Sequence, residues 1–137
     1  MVDINQHVEA LHISITTGND GVREESNVYG IIVFQEGDQV HTCGKSLNSG
    51  ENWSNGSTHE AYIQIPHVKV KDIDGFRILF ESKSCRLCTQ DNWSMDKIMI
   101  TYKLDNGQDV ILLQQTGTPL YLFTSSSPEW EVCFHWD

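Results

Sequence analysis

The chain has 137 residues, a length that fits one domain, 1–137, with a core large enough to need neither metal nor disulfide staples. Nine Lys and Arg stand against nineteen Asp and Glu, a formal net charge of −10. That balance excludes nucleic acid as a partner, because a phosphate-binding face must be basic. No apolar run approaches a membrane-spanning length, and 1–6 lacks the basic and apolar parts of a secretory leader. The expectation is a soluble protein, not an integral membrane one, cytoplasmic by default, with release by a signal-less route as the alternative.

In chain order, the first predicted strand spans 8–16, where Leu11, Ile13 and Ile15 alternate with His12 and Ser14. It ends at Thr17-Gly18-Asn19-Asp20-Gly21, where two glycines and two Asx residues can supply the positive φ of turns. The run 27–34 is apolar on both faces and predicts a central, well-covered strand. A reversal at Glu36-Gly37-Asp38 leads to a short strand over 39–43. The longest irregular segment follows, 44–57, rich in Gly, Asn and Ser and carrying Trp53; such loops are functional or simply mobile.

His59, Ala61, Ile63 and Ile65 alternate in the next strand, which Pro66 is expected to end. The segment 72–81 predicts a strand with Phe76, Ile78 and Phe80 facing the core, and 82–90 a second exposed loop. The segment 91–102 predicts the best-defined strand: Ile98, Ile100 and Tyr102 point one way, and Lys97, Met99 and Thr101 the other. Trp93 at its entrance is expected to pack inward while its N–H reaches a partner. Asn106-Gly107 is a hairpin signal. Strands over 110–113, 120–123 and 129–136 complete a set of eight or nine. With no helical period, repeat or linker, this argues an all-β antiparallel sandwich.

The order Thr17-Gly18, Asn27-Val28-Tyr29-Gly30-Ile31, 47–62, Asp72-Ile73-Asp74-Gly75-Phe76-Arg77-Ile78 and Asp91-Asn92-Trp93-Ser94-Met95-Asp96-Lys97-Ile98 resembles a PLAT (lipoxygenase-homology) domain. It looks like a bacterial variant in which Thr-Gly-x-Asp and Asp-Asn-Trp recur together. The resemblance covers roughly 8–103, and the Gly-Ala-Gly-Thr of many members is missing between Gly18 and Asn27. It implies an eight-stranded sandwich without catalytic apparatus, which targets proteins to membranes or protein partners, sometimes through calcium held between end loops.

Calcium takes six to eight oxygen ligands, and the end loops offer them at Asn19, Asp20, Asn48 and Glu51, with Asn52 beside them. The same residue types also cap turns. Trp53, flanked by Asn52 and Asn55, reads in two ways: as an exposed indole for a headgroup or a sugar ring, or as the loop's own anchor. Cys43, Cys85, Cys88 and Cys133 are an alternative zinc set, with His41 and His135 nearby, while Cys85 and Cys88 alone are spaced for a disulfide. No nucleophile elbow, His-Glu-x-x-His or phosphate-cradling glycine loop is present, so the expectation is a non-enzyme. Three functions follow: a module docking to a lipid surface or protein partner through 17–26 and 44–57 with calcium; a glycan- or receptor-binding component of a toxin-like system using Trp53, Asn52 and Asn55; and an oligomeric structural subunit joined through an apolar strand edge.

Overall fold

The computed structural model describes residues 3–23, 26–82 and 91–134. Among the described residues, eight strands follow one another: β1 (His7–Thr17), β2 (Asn27–Glu36), β3 (Gln39–Ser46), β4 (Thr58–Lys69), β5 (Ile73–Glu81), β6 (Trp93–Leu104), β7 (Asp109–Phe123) and β8 (Glu129–Cys133). They form two four-stranded antiparallel sheets, in the orders β4-β1-β6-β7 and β3-β2-β5-β8. The sequence alternation explains the sandwich. Leu11, Ile13 and Ile15 on β1 and Ile98, Ile100 and Tyr102 on β6 are fully buried, and they meet Val28, Ile32, Phe76, Ile78 and Phe80 of the other sheet in one core.

Four expectations are corrected. Pro66 does not end its strand: β4 runs on to Lys69, because β4 is a sheet edge and the missing N–H of Pro66 falls where the β1 pairing shifts register. The segments 110–113 and 120–123 are one strand, not two. Lys97 of β6 faces Thr116 and Met95 faces Tyr121, so residues 117–120 bulge out of an otherwise continuous β7. β2 is central in its sheet, yet Tyr29, Ile31 and Val33 on its outer face are half-exposed rather than covered. β3 extends to Ser46, which shortens the irregular loop to 47–57.

The two ends of the sandwich differ. At one lie the hairpins β2–β3 and β6–β7, with Gly37 (φ 62°) and Gly107 (φ 88°) in the left-handed conformation that suits their turns. At the other, the loop end, β1, β3, β5 and β7 finish and β2, β4, β6 and β8 begin, beside the β7 bulge. No helix of the described residues is long and apolar enough to cross a membrane.

Candidate functional site

At the loop end, 18–23 is threaded between the β3–β4 loop and the start of β6. Gly18 N–H donates to the Ser94 carbonyl (2.9 Å), and the Gly56 N–H donates back to the Gly18 carbonyl (3.1 Å). Asp20 N–H donates to Ser94 Oγ (3.0 Å) and Ser94 N–H to the Asp20 carbonyl (2.8 Å). Val22 and Trp53 exchange both backbone hydrogen bonds (3.0 and 2.9 Å). Arg23 closes the loop on buried Asp91, whose carboxylate accepts from Arg23 N–H at 2.7 Å and Nε at 3.1 Å.

This crowding corrects the expectation for the two glycines. Neither Gly18 nor Gly21 has a positive φ. A Cβ on Gly18 would lie 2.3 Å from Asp96 Oδ1, and one on Gly21 2.1 Å from the Trp53 carbonyl, so both are set by close approach.

Trp53 is the loop's anchor. It is 4 % exposed, stacked face to face on His59 (4.6 Å, 7°) and edge-on to Trp93 (5.8 Å, 68°). Of the two readings of Trp53 the loop anchor holds and the exposed indole is ruled out, because the backbone bridge to Val22 turns the ring under the loop. Asn55 belongs to the same scaffold, its Oδ1 accepting from Gly21 N–H at 2.9 Å, while Asn52 is exposed. Trp93 packs inward as expected, stacked on Phe123 at 4.6 Å, but its N–H finds no acceptor among the described residues.

Asn48 is corrected as well. It is buried, with Oδ1 accepting from Val28 N–H (3.0 Å) and Ser46 Oγ (3.1 Å), and Nδ2 donating to the carbonyls of Ser26 (2.7 Å) and Glu51 (2.9 Å). Its amide is committed to holding the loop and is not a free ligand. Asn19 and Asp20 do face a common space: they line a cleft of about 460 Å³ with Ser94, Asp96, Thr118, Pro119 and Leu122. Asn48 and Glu51 are not among its walls. Burial pushes the Asp20 carboxyl above its usual range; Arg23 opposes that shift and Asp91 adds to it. Sequence reasoning missed Asp96 and the β7 bulge as walls of the cleft. Asp96 is legible only as the last residue of the Asp-x-Trp-x-Met-Asp run, and nothing local links 117–122 to Asn19.

The four-thiolate zinc set is corrected by topology. Cys43 lies on β3 and Cys133 on β8, opposite edges of one sheet and three strand spacings apart, roughly 14 Å. Zinc at about 2.3 Å from each sulfur cannot bridge them. Both are free thiols, and Cys85, Cys88 and His135 lie outside the described residues. Among the described residues no group of three or more His, Cys, Asp or Glu side chains is gathered for a metal ion.

No protein-family profile matches the chain, and no curated protein matches it in sequence. Solved structures do match in fold. The alpha-toxin of an avian strain of Clostridium perfringens superposes with a TM-score of 0.67 at 18% identity, over 96% of this chain and 32% of the toxin. The alpha-toxin of Clostridium absonum gives 0.67 at 13% identity, over 98% of this chain and 33% of that one. A lipoxygenase deletion variant gives 0.62 at 13% identity, over 93% of this chain and 16% of the enzyme. The chain thus spans a third or less of the proteins it matches, and the likeness lies in one module of each. That shared fold is the PLAT-like β-sandwich, and the chain has it.

Proposed function

We propose that the domain is a non-catalytic targeting module that docks its loop end on a phospholipid surface, with calcium bridging the cleft to headgroup phosphates. One observation carries the reading: the acids Asp20 and Asp96 line the same cleft as Pro119 and the exposed Leu122. Its donors are all oxygen, which suits a hard cation rather than zinc or copper. Two carboxylates and the Asn19 amide fall short of a full calcium shell, so phosphate oxygens and water would supply the rest. The carboxylate of Asp96 lies against Gly18, in space that any side chain there would fill, and the partly buried charge of Asp20 would gain from a cation. Pro119 and Leu122 would enter the apolar boundary beside the headgroups. The net charge of −10 makes such a bridge necessary at an anionic surface. The glycan reading loses its platform, because Trp53 is buried.

The test is flotation with phosphatidylcholine–phosphatidylserine vesicles, in calcium and in EDTA. The expected result is calcium-dependent binding that Asp20→Asn, Asp96→Asn and Leu122→Glu each weaken at least tenfold. Asp20→Asn should also raise Tm slightly in EDTA, since it removes a poorly solvated charge, and should abolish any rise on adding calcium. Binding indifferent to calcium and to all three substitutions would sink the reading.

A further inference from the structure

Among the described residues of the loop-end connections and the β7 bulge, Arg23 is the only Lys or Arg; Glu24, Glu25, Lys83 and Arg86 lie outside the described residues. It stands three residues after Asp20, in the loop that brings Asn19 and Asp20 to the cleft. One side of it is anchored and the other is open. Its backbone N–H and Nε both donate to the Asp91 carboxylate, at 2.7 and 3.1 Å, and Asp91 is 2 % exposed. Its terminal nitrogens have no partner among the described residues, and its side chain is 57 % exposed. Pairing with buried Asp91 accounts for Nε. It does not account for the free edge of a fixed guanidinium, held at the surface beside Asp20.

The charge of Arg23 also reaches the cleft. At Asp20 the pull of the guanidinium outweighs the push of Asp91, so the ion pair acts there as a positive charge although it is formally neutral. Such a charge has opposite effects on the two ligands of a calcium-bridged docking site. It repels a calcium ion held by Asp20 and attracts a phosphate held by that ion.

We propose that Arg23 is the phosphate-binding residue of the loop end and makes calcium and a phospholipid headgroup depend on each other. Its open edge donates to the non-bridging oxygens of the headgroup phosphate, and the calcium ion in the cleft shares the same anion. Calcium alone meets the repulsion of Arg23. Phosphate alone meets the carboxylates of Asp20 and Asp96. Bound together, each ligand cancels the other's penalty, and the coupling is reciprocal. The domain then responds to calcium and a phosphate-bearing surface jointly and only weakly to either. This inference rests on the docking proposed above.

The test measures two affinities of the full chain: for calcium without vesicles, by titration calorimetry, and for phosphatidylcholine–phosphatidylserine vesicles at saturating calcium. Arg23→Gln should tighten calcium about twofold and weaken vesicle binding about fivefold. A purely structural role would weaken both, because loss of Arg23 strands the buried Asp91 charge. If Arg23→Gln does not fold, Arg23→Lys, which keeps the charge but not the paired edge, should weaken vesicle binding without tightening calcium. Calcium-dependent vesicle binding that the folded variants match, or two affinities that fall together in Arg23→Gln, would overturn the proposal and leave the docking itself standing. Wild-type protein that ignores vesicles would sink both. Soluble glycerophosphate that replaces vesicles in full would overturn the headgroup assignment in favour of a free phosphate.

Discussion

The hairpin turns and the threaded 18–23 segment use glycine for opposite reasons. At the hairpin end, Gly37 and Gly107 have left-handed backbones and nothing within 4 Å of where a Cβ would stand, so they answer a local conformational demand. In the threaded 18–23 segment, Gly18 and Gly21 have ordinary backbones and no room, so they answer a tertiary one, while Gly50 and Gly56 of the neighbouring 47–57 loop are left-handed with open space, like the hairpin glycines. The asparagines divide in the same way. Asn106 Oδ1 accepts from Gln108 N–H two residues on, whereas Asn55 binds Gly21 and Asn48 ties its near neighbours Ser46 and Glu51 to Val28 and Ser26, twenty or more residues away. The hairpins are held by their own turns; the 18–23 segment is held by other loops.

The largest effect that would break this contrast is expected at Trp53. Trp53→Ala should cost about 3–5 kcal/mol, as removal of a buried aromatic does, and should release the 47–57 loop. Urea denaturation checks it, and a loss near zero would mean that the loop end stands without its anchor. The sharper comparison is between glycines. Gly21→Asn should destabilise by about 1–3 kcal/mol through overpacking against the Trp53 carbonyl. Gly37→Asn should cost less, since Asn tolerates the left-handed region and has open space there. Equal costs in paired thermal melts would show that the two sets of glycines do not differ as described.

The smallest effect concerns pH. Burial lowers the pKa of His59 from the usual 6.5, with the Glu51 carboxylate partly opposing the shift. The unfolded chain then binds the proton more readily than the folded one. The His59 contribution is present in full above pH 6.5 and is lost as pH falls through the lowered folded value. Melts between about pH 8 and 5 should show a decline in Tm that His59→Phe, which keeps a ring against Trp53, makes shallower. An identical slope in that variant would assign the decline to other groups.

Much of the fold was legible because its signals are local. The alternation at Ile98, Ile100 and Tyr102 and the Asn106-Gly107 turn needed no knowledge of partners. Pro66 misled because its effect depends on whether the strand is an edge, which a single segment cannot reveal. The candidate site was half legible. Asn19 and Asp20 do line the cleft, but Asp96 and Leu122 join them only through the β6–β7 register. Trp53 and Asn48 looked available because polar, glycine-rich loops usually lie open; here a backbone bridge and four hydrogen bonds turn both inward.

The stacked rings beneath the loop end also make the domain optically self-reporting. Trp53 and Trp93 sit 5.8 Å apart at 68°, close enough for the strong far-ultraviolet transitions of the two indoles to couple. Trp93 adjoins Ser94, a wall of the cleft, and Trp53 is bonded through its backbone to the loop that carries Asp20. Any occupant that shifts those walls perturbs the pair, so the unlabelled protein carries its own gauge of what enters the cleft.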